Sequence, residues 1–128
     1  VIRKPENATK KGSIAVLKGN IAPEGAVIKY PACAPDMHHH TGPSRVFNSE
    51  EDAQQAIIHN HTEPGDVIFI RYERAKGSGS PEVLSTTDAR HSDNRLHRKH
   101  TLITDGLCLV AVRWPTVGTV SHSADVGA

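Results

Sequence analysis

The run Ser49-Glu50-Glu51-Asp52-Ala53-Gln54-Gln55-Ala56-Ile57, followed after Pro64-Gly65 by Asp66-Val67-Ile68-Phe69-Ile70-Arg71-Tyr72, decides the fold. Ser49 before three acids reads as a helix start: its hydroxyl can satisfy an orphan first-turn N–H, and negative charge there favours the helix dipole. Ala53, Ala56 and Ile57 recur at helical spacing and define one apolar face. Pro64-Gly65 interrupts that pattern, and residues 66–72 carry the strongest β-branched and aromatic run of the chain. A helix with one apolar stripe leading into such a strand is a helix packed on a sheet.

Working outward, Ser13-Ile14-Ala15-Val16-Leu17 reads as a strand closed by Lys18-Gly19-Asn20. A second, Ala26-Val27-Ile28-Lys29-Tyr30, is opened by the turn-forming Pro23-Glu24-Gly25. Pro31 to Pro43 is loop and holds His38-His39-His40-Thr41, and Arg45-Val46-Phe47 is a short strand. The Gly/Ser loop Lys76-Gly77-Ser78-Gly79-Ser80 leads to Pro81-Glu82, where proline suits the first turn of a short helix. Thr101-Leu102-Ile103-Thr104 is a strand ended by Asp105-Gly106. Residues 1–12 read as a linker or a truncated N-terminal extension, and 13–128 as one domain. The expected class is α+β, mixed and β-rich, with too few strands to close a barrel by themselves.

Composition narrows the function. With 15 Lys+Arg against 14 Asp+Glu in 128 residues, the chain lacks the clustered positive charge of a nucleic-acid or polybasic membrane module. No apolar run is long enough to span a bilayer, and the start resembles no signal peptide. Cys33 and Cys108 match no zinc or redox spacing, and two sulfurs fall short of the four that an iron–sulfur cluster usually takes. The expectation is a reduced pair in a cytoplasmic protein. Three consecutive histidines cannot all face one ion in regular structure, and His97-Arg98-Lys99-His100 with Arg95 reads as a solvated basic face.

Five blocks in order carry a family resemblance: Ser13 to Lys29, Gly42-Pro43-Ser44-Arg45-Val46-Phe47, Pro64 to Glu73, Pro81-Glu82, and Leu102-Ile103-Thr104-Asp105-Gly106. They resemble the C-terminal domain of the dihydroxy-acid, phosphogluconate and sugar-acid dehydratases, over nearly the whole chain. The resemblance implies a β-barrel-like swivelling domain flanked by helices, incomplete here at the C-terminus. It implies a hydro-lyase that converts a 2,3-dihydroxy carboxylate to a 2-keto acid. An iron–sulfur cluster would act as Lewis acid on the departing hydroxyl, and Mg²⁺ would hold the carboxylate and C2 oxygens. The partners so implied are an N-terminal cluster-bearing domain, a small hydroxy-acid substrate and, in the full-length family, a second copy in a homodimer.

Residue by residue, the resemblance makes Glu82 a Mg²⁺ ligand, whereas sequence alone allows a glutamate that merely favours a helix dipole. Gly77, Gly79, Asp105 and Gly106 would lie against substrate; a flexible surface turn accounts equally for the glycines of the loop. The family continues Asp-Gly as Arg-Phe-Ser-Gly and assigns that serine as the base. Here Leu107-Cys108-Leu109-Val110 follows, so Leu109 occupies the serine position and no catalytic residue is intact. Compensating reading-frame shifts or true divergence over 107–114 would each give this segment. The expectation is an enzyme part inactive alone, lacking both the cluster domain and the serine. The alternative is a degenerate, non-catalytic binding or interaction domain of the same fold.

Overall fold

The computed structural model describes residues 5–7, 12–74, 79, 82–92, 100–108 and 115–121. Six strands, β1 (Ala15–Gly19), β2 (Ala22–Ile28), β3 (Ser44–Phe47), β4 (Val67–Ile70), β5 (Thr101–Thr104) and β6 (Thr116–Gly118), form one mixed sheet in the order β1-β2-β6-β5-β4-β3. Strands β3 to β6 run parallel to one another, and the β1–β2 hairpin joins β6 antiparallel. Parallel neighbours need crossovers. Helix α1 (Glu50–Ile58) lies between β3 and β4, and α2 (Ser85–Ser92) between β4 and β5.

The helix start falls where the sequence puts it: Ser49 Oγ accepts a hydrogen bond from the Asp52 amide at 3.2 Å. Ala53 and Ile57 of α1 then pack with Ile68, Ile70, Leu102 and Val83 in the main core. Alternation along the strands separates the two faces. Ile68, Ile70 and Leu102 point to the helices, while Ile103 and Val117 point to a smaller cluster of Ala22, Ala26 and Val120 under the hairpin.

Three expectations change. The barrel is not closed among the described residues: the sheet has two ends, β1 and β3. On β1 and its flanks Ile14, Val16, Leu17 and Ile21 are exposed, so this end of the sheet carries apolar side chains among the described residues. Next, Pro23-Glu24-Gly25 is no turn but lies inside β2; the turn is at Asn20-Ile21. The register jumps here, with Leu17 facing Ala26 and Gly19 facing Ala22. Proline has no N–H to donate, so it falls where the ladder is interrupted, and Gly25 adopts φ +126°. Lastly, Glu82 precedes α2 rather than opening it, because residues 83 and 84 are non-helical.

Candidate functional site

The carboxyl ends of β4 and β5 carry the residues singled out in the sequence. Beyond β4 the chain turns through Tyr72, whose φ of +68° is costly for a bulky side chain. Asp105, just past β5, holds that turn. Its Oδ2 accepts from the Tyr72 amide at 3.3 Å and its Oδ1 from the Glu73 amide at 3.1 Å. Its carbonyl accepts from Arg74 Nε at 2.9 Å. Asp105 is thus a buried anchor for residues 72–74.

The network continues inward. Glu73 Oε1 accepts from the Glu50 amide at the start of α1 at 2.8 Å. Glu50 Oε1 accepts from the Thr86 amide in α2 at 3.0 Å, and the Thr86 hydroxyl donates to the Glu50 carbonyl at 3.3 Å. Glu50, Glu73 and Asp105 are 9%, 3% and 6% exposed, and together they tie both helices to both loops. Burial pushes the Glu50 carboxyl above the usual range; the amides of Thr86 and Ser85 oppose this, while the charges of Glu73 and Glu51 add to it. Sequence reading missed Glu50 and Glu73, since an acid in a first helical turn gives no sign that it is buried.

Gly106 makes the close approach. A Cβ there would lie 2.7 Å from Glu73 Cβ, so this position leaves no room for a side chain. Its amide donates to Thr104 Oγ1 at 3.0 Å, and its carbonyl accepts from Thr119 at 2.8 Å. Leu107 then forms a parallel bridge with Glu82, closed by the Val83 amide on the Leu107 carbonyl at 2.9 Å. Residues far apart in sequence, Glu82 and the Asp105-Gly106-Leu107 segment, therefore lie side by side. Gly79 is exposed at φ +90°, with its amide donating to the Arg74 carbonyl at 3.2 Å. Gly77 and Leu109 lie outside the described residues.

A cavity of about 280 Å³ opens beside Asp105 and Thr104. Ile21, Phe69, Ile103 and Val120 make its wall apolar, and Arg71 stands on its rim. Two bonds to Asn48 Oδ1 fix that guanidinium, from Nε at 2.9 Å and from Nη2 at 2.6 Å.

The donor set can be tested for metals. No group of three or more His, Cys, Asp or Glu among the described residues is arranged to hold an ion. The carboxylates of Asp105, Glu73 and Glu50 accept main-chain bonds; half-buried Glu82 has the oxygen chemistry that one ligand of a hard cation needs. Cys33 and Cys108 are free thiols in separate places: Cys33 lies by the loop after β2, and Cys108 packs on the main core. They do not make a cluster site. In the histidine run, His38 stacks on Tyr30 with ring centres 4.4 Å apart, whereas His40 Nε2 bonds the Gly65 carbonyl at 2.9 Å. The basic run corrects at one end: His100 is fully buried at the start of β5 rather than solvated.

Known proteins give this geometry its context. A sequence model of the dihydroxy-acid/6-phosphogluconate dehydratase C-terminal family matches residues 1–128. The dihydroxy-acid dehydratase of Moorella thermoacetica is 47% identical over 129 residues, which is 99% of this chain and 23% of that protein. That of Clostridium botulinum (strain Eklund 17B / Type B) is similar to the same extent, and that of Methanobrevibacter smithii is 47% identical over 117 residues, 90% of this chain and 21% of its own. The chain thus spans less than a quarter of the length of these relatives. With the five blocks of sequence, the match over the full chain establishes that it belongs to the dihydroxy-acid/6-phosphogluconate dehydratase C-terminal family.

Proposed function

We propose that this chain serves as the C-terminal part of an iron–sulfur, Mg²⁺-dependent dehydratase that turns a 2,3-dihydroxy carboxylate into a 2-keto acid, and that it is inactive alone. The observation that carries the reading is the bridge between Glu82 and Leu107, which brings together the two segments that matter in the family. When bound, the cluster and Mg²⁺ supply Lewis acidity to the departing hydroxyl and to the substrate oxygens. Glu82 offers one carboxylate to the Mg²⁺, the other ligands and the cluster coming from an N-terminal domain. Asp105, Glu73 and Glu50 keep the two segments at fixed separation, and positioning of this kind is worth orders of magnitude in rate. The apolar cavity by Phe69 and Ile103 accommodates the carbon chain of a small hydroxy acid, with Arg71 on its rim for a carboxylate. No helix among the described residues is long and apolar enough to cross a membrane.

Leu109 favours a second component of the reading, loss of the chemical step. A leucine has no proton-accepting group, and alternation along an extended segment would face the neighbouring Cys108 the other way.

The test joins this chain to the preceding domains of the Moorella thermoacetica relative and measures 2-keto acid formation from dihydroxy acids and sugar acids. The chimera with Leu109 should show no turnover. Leu109→Ser, or the relative's own segment in place of 107–114, should restore it, and Glu82→Gln should then abolish it at ordinary Mg²⁺. Turnover with Leu109 in place would refute the loss. A folded, cluster-loaded chimera with the relative's segment but no turnover would refute the enzyme-part reading.

A further inference from the structure

Three residues other than glycine hold a positive φ among the described residues: Asn60, Tyr72 and Thr119. Asn60 follows the end of α1, where the left-handed conformation is common and asparagine tolerates it. Tyr72 at +68° and Thr119 at +53° are the costly ones, and both lean on one turn. The Tyr72 amide donates to Asp105 Oδ2, and the Thr119 amide donates to the Gly106 carbonyl. Backbone strain gathered at one place is a mark of functional sites.

At Tyr72 the strain is imposed from outside, because Asp105 takes the amides of Tyr72 and Glu73 together. Glycine or asparagine would meet that backbone need at less cost, so the tyrosine is explained by its ring. The ring lies under Arg71, whose Cζ is 5.1 Å from the ring centre. Asn48 Oδ1 grips the same guanidinium by Nε and by Nη2. The geometry points to Tyr72 and Asn48 as positioning residues: they hold Arg71 at the mouth of the cavity beside Asp105, with its Nη1–Nη2 edge as receptor for a substrate carboxylate.

The arithmetic of donors supports this. A guanidinium has five N–H groups in a fixed fork, and the bonds to Asn48 occupy those on its Nε–Nη2 side. The Nη1–Nη2 edge remains, and it matches a carboxylate bidentately. Arg71 is exposed, so a ligand can reach it, and it lines the cavity whose wall is otherwise mostly apolar. An exposed arginine ordinarily loses much rotamer freedom when it binds an anion; here two hydrogen bonds and a ring have already restricted it.

The inference rests on the dehydratase reading for the identity of its ligand, yet binding to the 128-residue chain needs no turnover and separates the two. The Arg71 Nε–H resonance is followed by NMR while 2-hydroxy-3-methylbutanoate is added, with 3-methylbutane-1,2-diol as the control without a carboxylate. The carboxylate should shift it saturably and the diol should not. Tyr72→Asn, at ease with positive φ, should weaken binding about two- to fivefold, the size of one cation–π contact, without lowering the melting temperature. Asn48→Ala should weaken it about tenfold, and Tyr72→Phe should restore what Tyr72→Asn loses. In the chimera carrying the relative's segment 107–114, Tyr72→Asn should raise KM with kcat held within about twofold, the pattern of lost uniform binding. The inference falls if the carboxylate leaves Arg71 unmoved, if Tyr72→Asn leaves affinity unchanged, or if Tyr72→Asn lowers the melting temperature, which would make the ring a part of the core. Turnover in that chimera without the rise in KM sinks the inference alone. Carboxylate binding in a folded chimera without turnover sinks the dehydratase reading and leaves the Arg71 receptor standing.

Discussion

The two faces of the sheet are built in opposite ways. Toward the helices, Ile68, Ile70 and Leu102 are at most 2% exposed and close-packed on Ala53, Ile57 and Val83. Toward the hairpin, Val67, Phe69 and Ile103 are only half-buried, and the cavity beside Asp105 and another of about 240 Å³ lined by Val67, Ile103 and Val117 open there. The same alternating strands supply both faces, so strand propensity does not explain the difference. Crossover helices cover the first face along the parallel strands, whereas a two-stranded hairpin meets the second through β6, with β1 at the end of the sheet among the described residues. The lesson is that one face holds the domain together while the other is available to ligand, substrate or another part of a longer protein.

That contrast predicts a ranking. Leu102→Ala should cost about 3–4 kcal/mol in a denaturant titration, since a close-packed site cannot collapse around the void. Asp105→Ala should cost about 2–3 kcal/mol by leaving the Tyr72 and Glu73 amides unpaired, with hydrogen exchange rising first at those two amides. Ile103→Ala, one residue from Leu102, should cost only about 1–2 kcal/mol, because its side chain already borders empty space. Equal losses at 102 and 103 would break the comparison.

The smallest effect concerns Glu50. Its folded-state pKa is raised, so the folded state binds the proton more tightly than the unfolded chain. The stability this proton contributes is full below the unfolded value and is lost as pH rises through the folded one. Glu50→Gln keeps an acceptor for the Thr86 amide and removes the desolvated charge. It should flatten stability against pH over that window while changing the neutral value by less than about 1 kcal/mol. An unchanged pH profile would show that Glu50 does not titrate separately.

Much of this was legible in residue order alone. The α1 start followed from Ser49 and the acids after it, β5 from Thr101-Leu102-Ile103-Thr104, and the family from its five blocks, because each is a local pattern. The position of Glu82 was also in the sequence, though not its setting: Pro81-Glu82 reads as a helix start, and only the bridge to Leu107 makes it part of a site. Pro23-Glu24-Gly25 reads as a turn because turn chemistry is local, yet pairing with β1 absorbs it as an irregularity within a strand.

What the sequence determined by itself is membership, the start of α1, strand β5 and the leucine at position 109, since these depend only on which residues follow one another. Strand order, the two open ends of the sheet among the described residues and the buried chain from Glu50 through Glu73 to Asp105 were decided by tertiary structure. Each depends on which distant segments share the low-dielectric interior, where a carboxylate or hydroxyl must find its partner in space rather than along the chain.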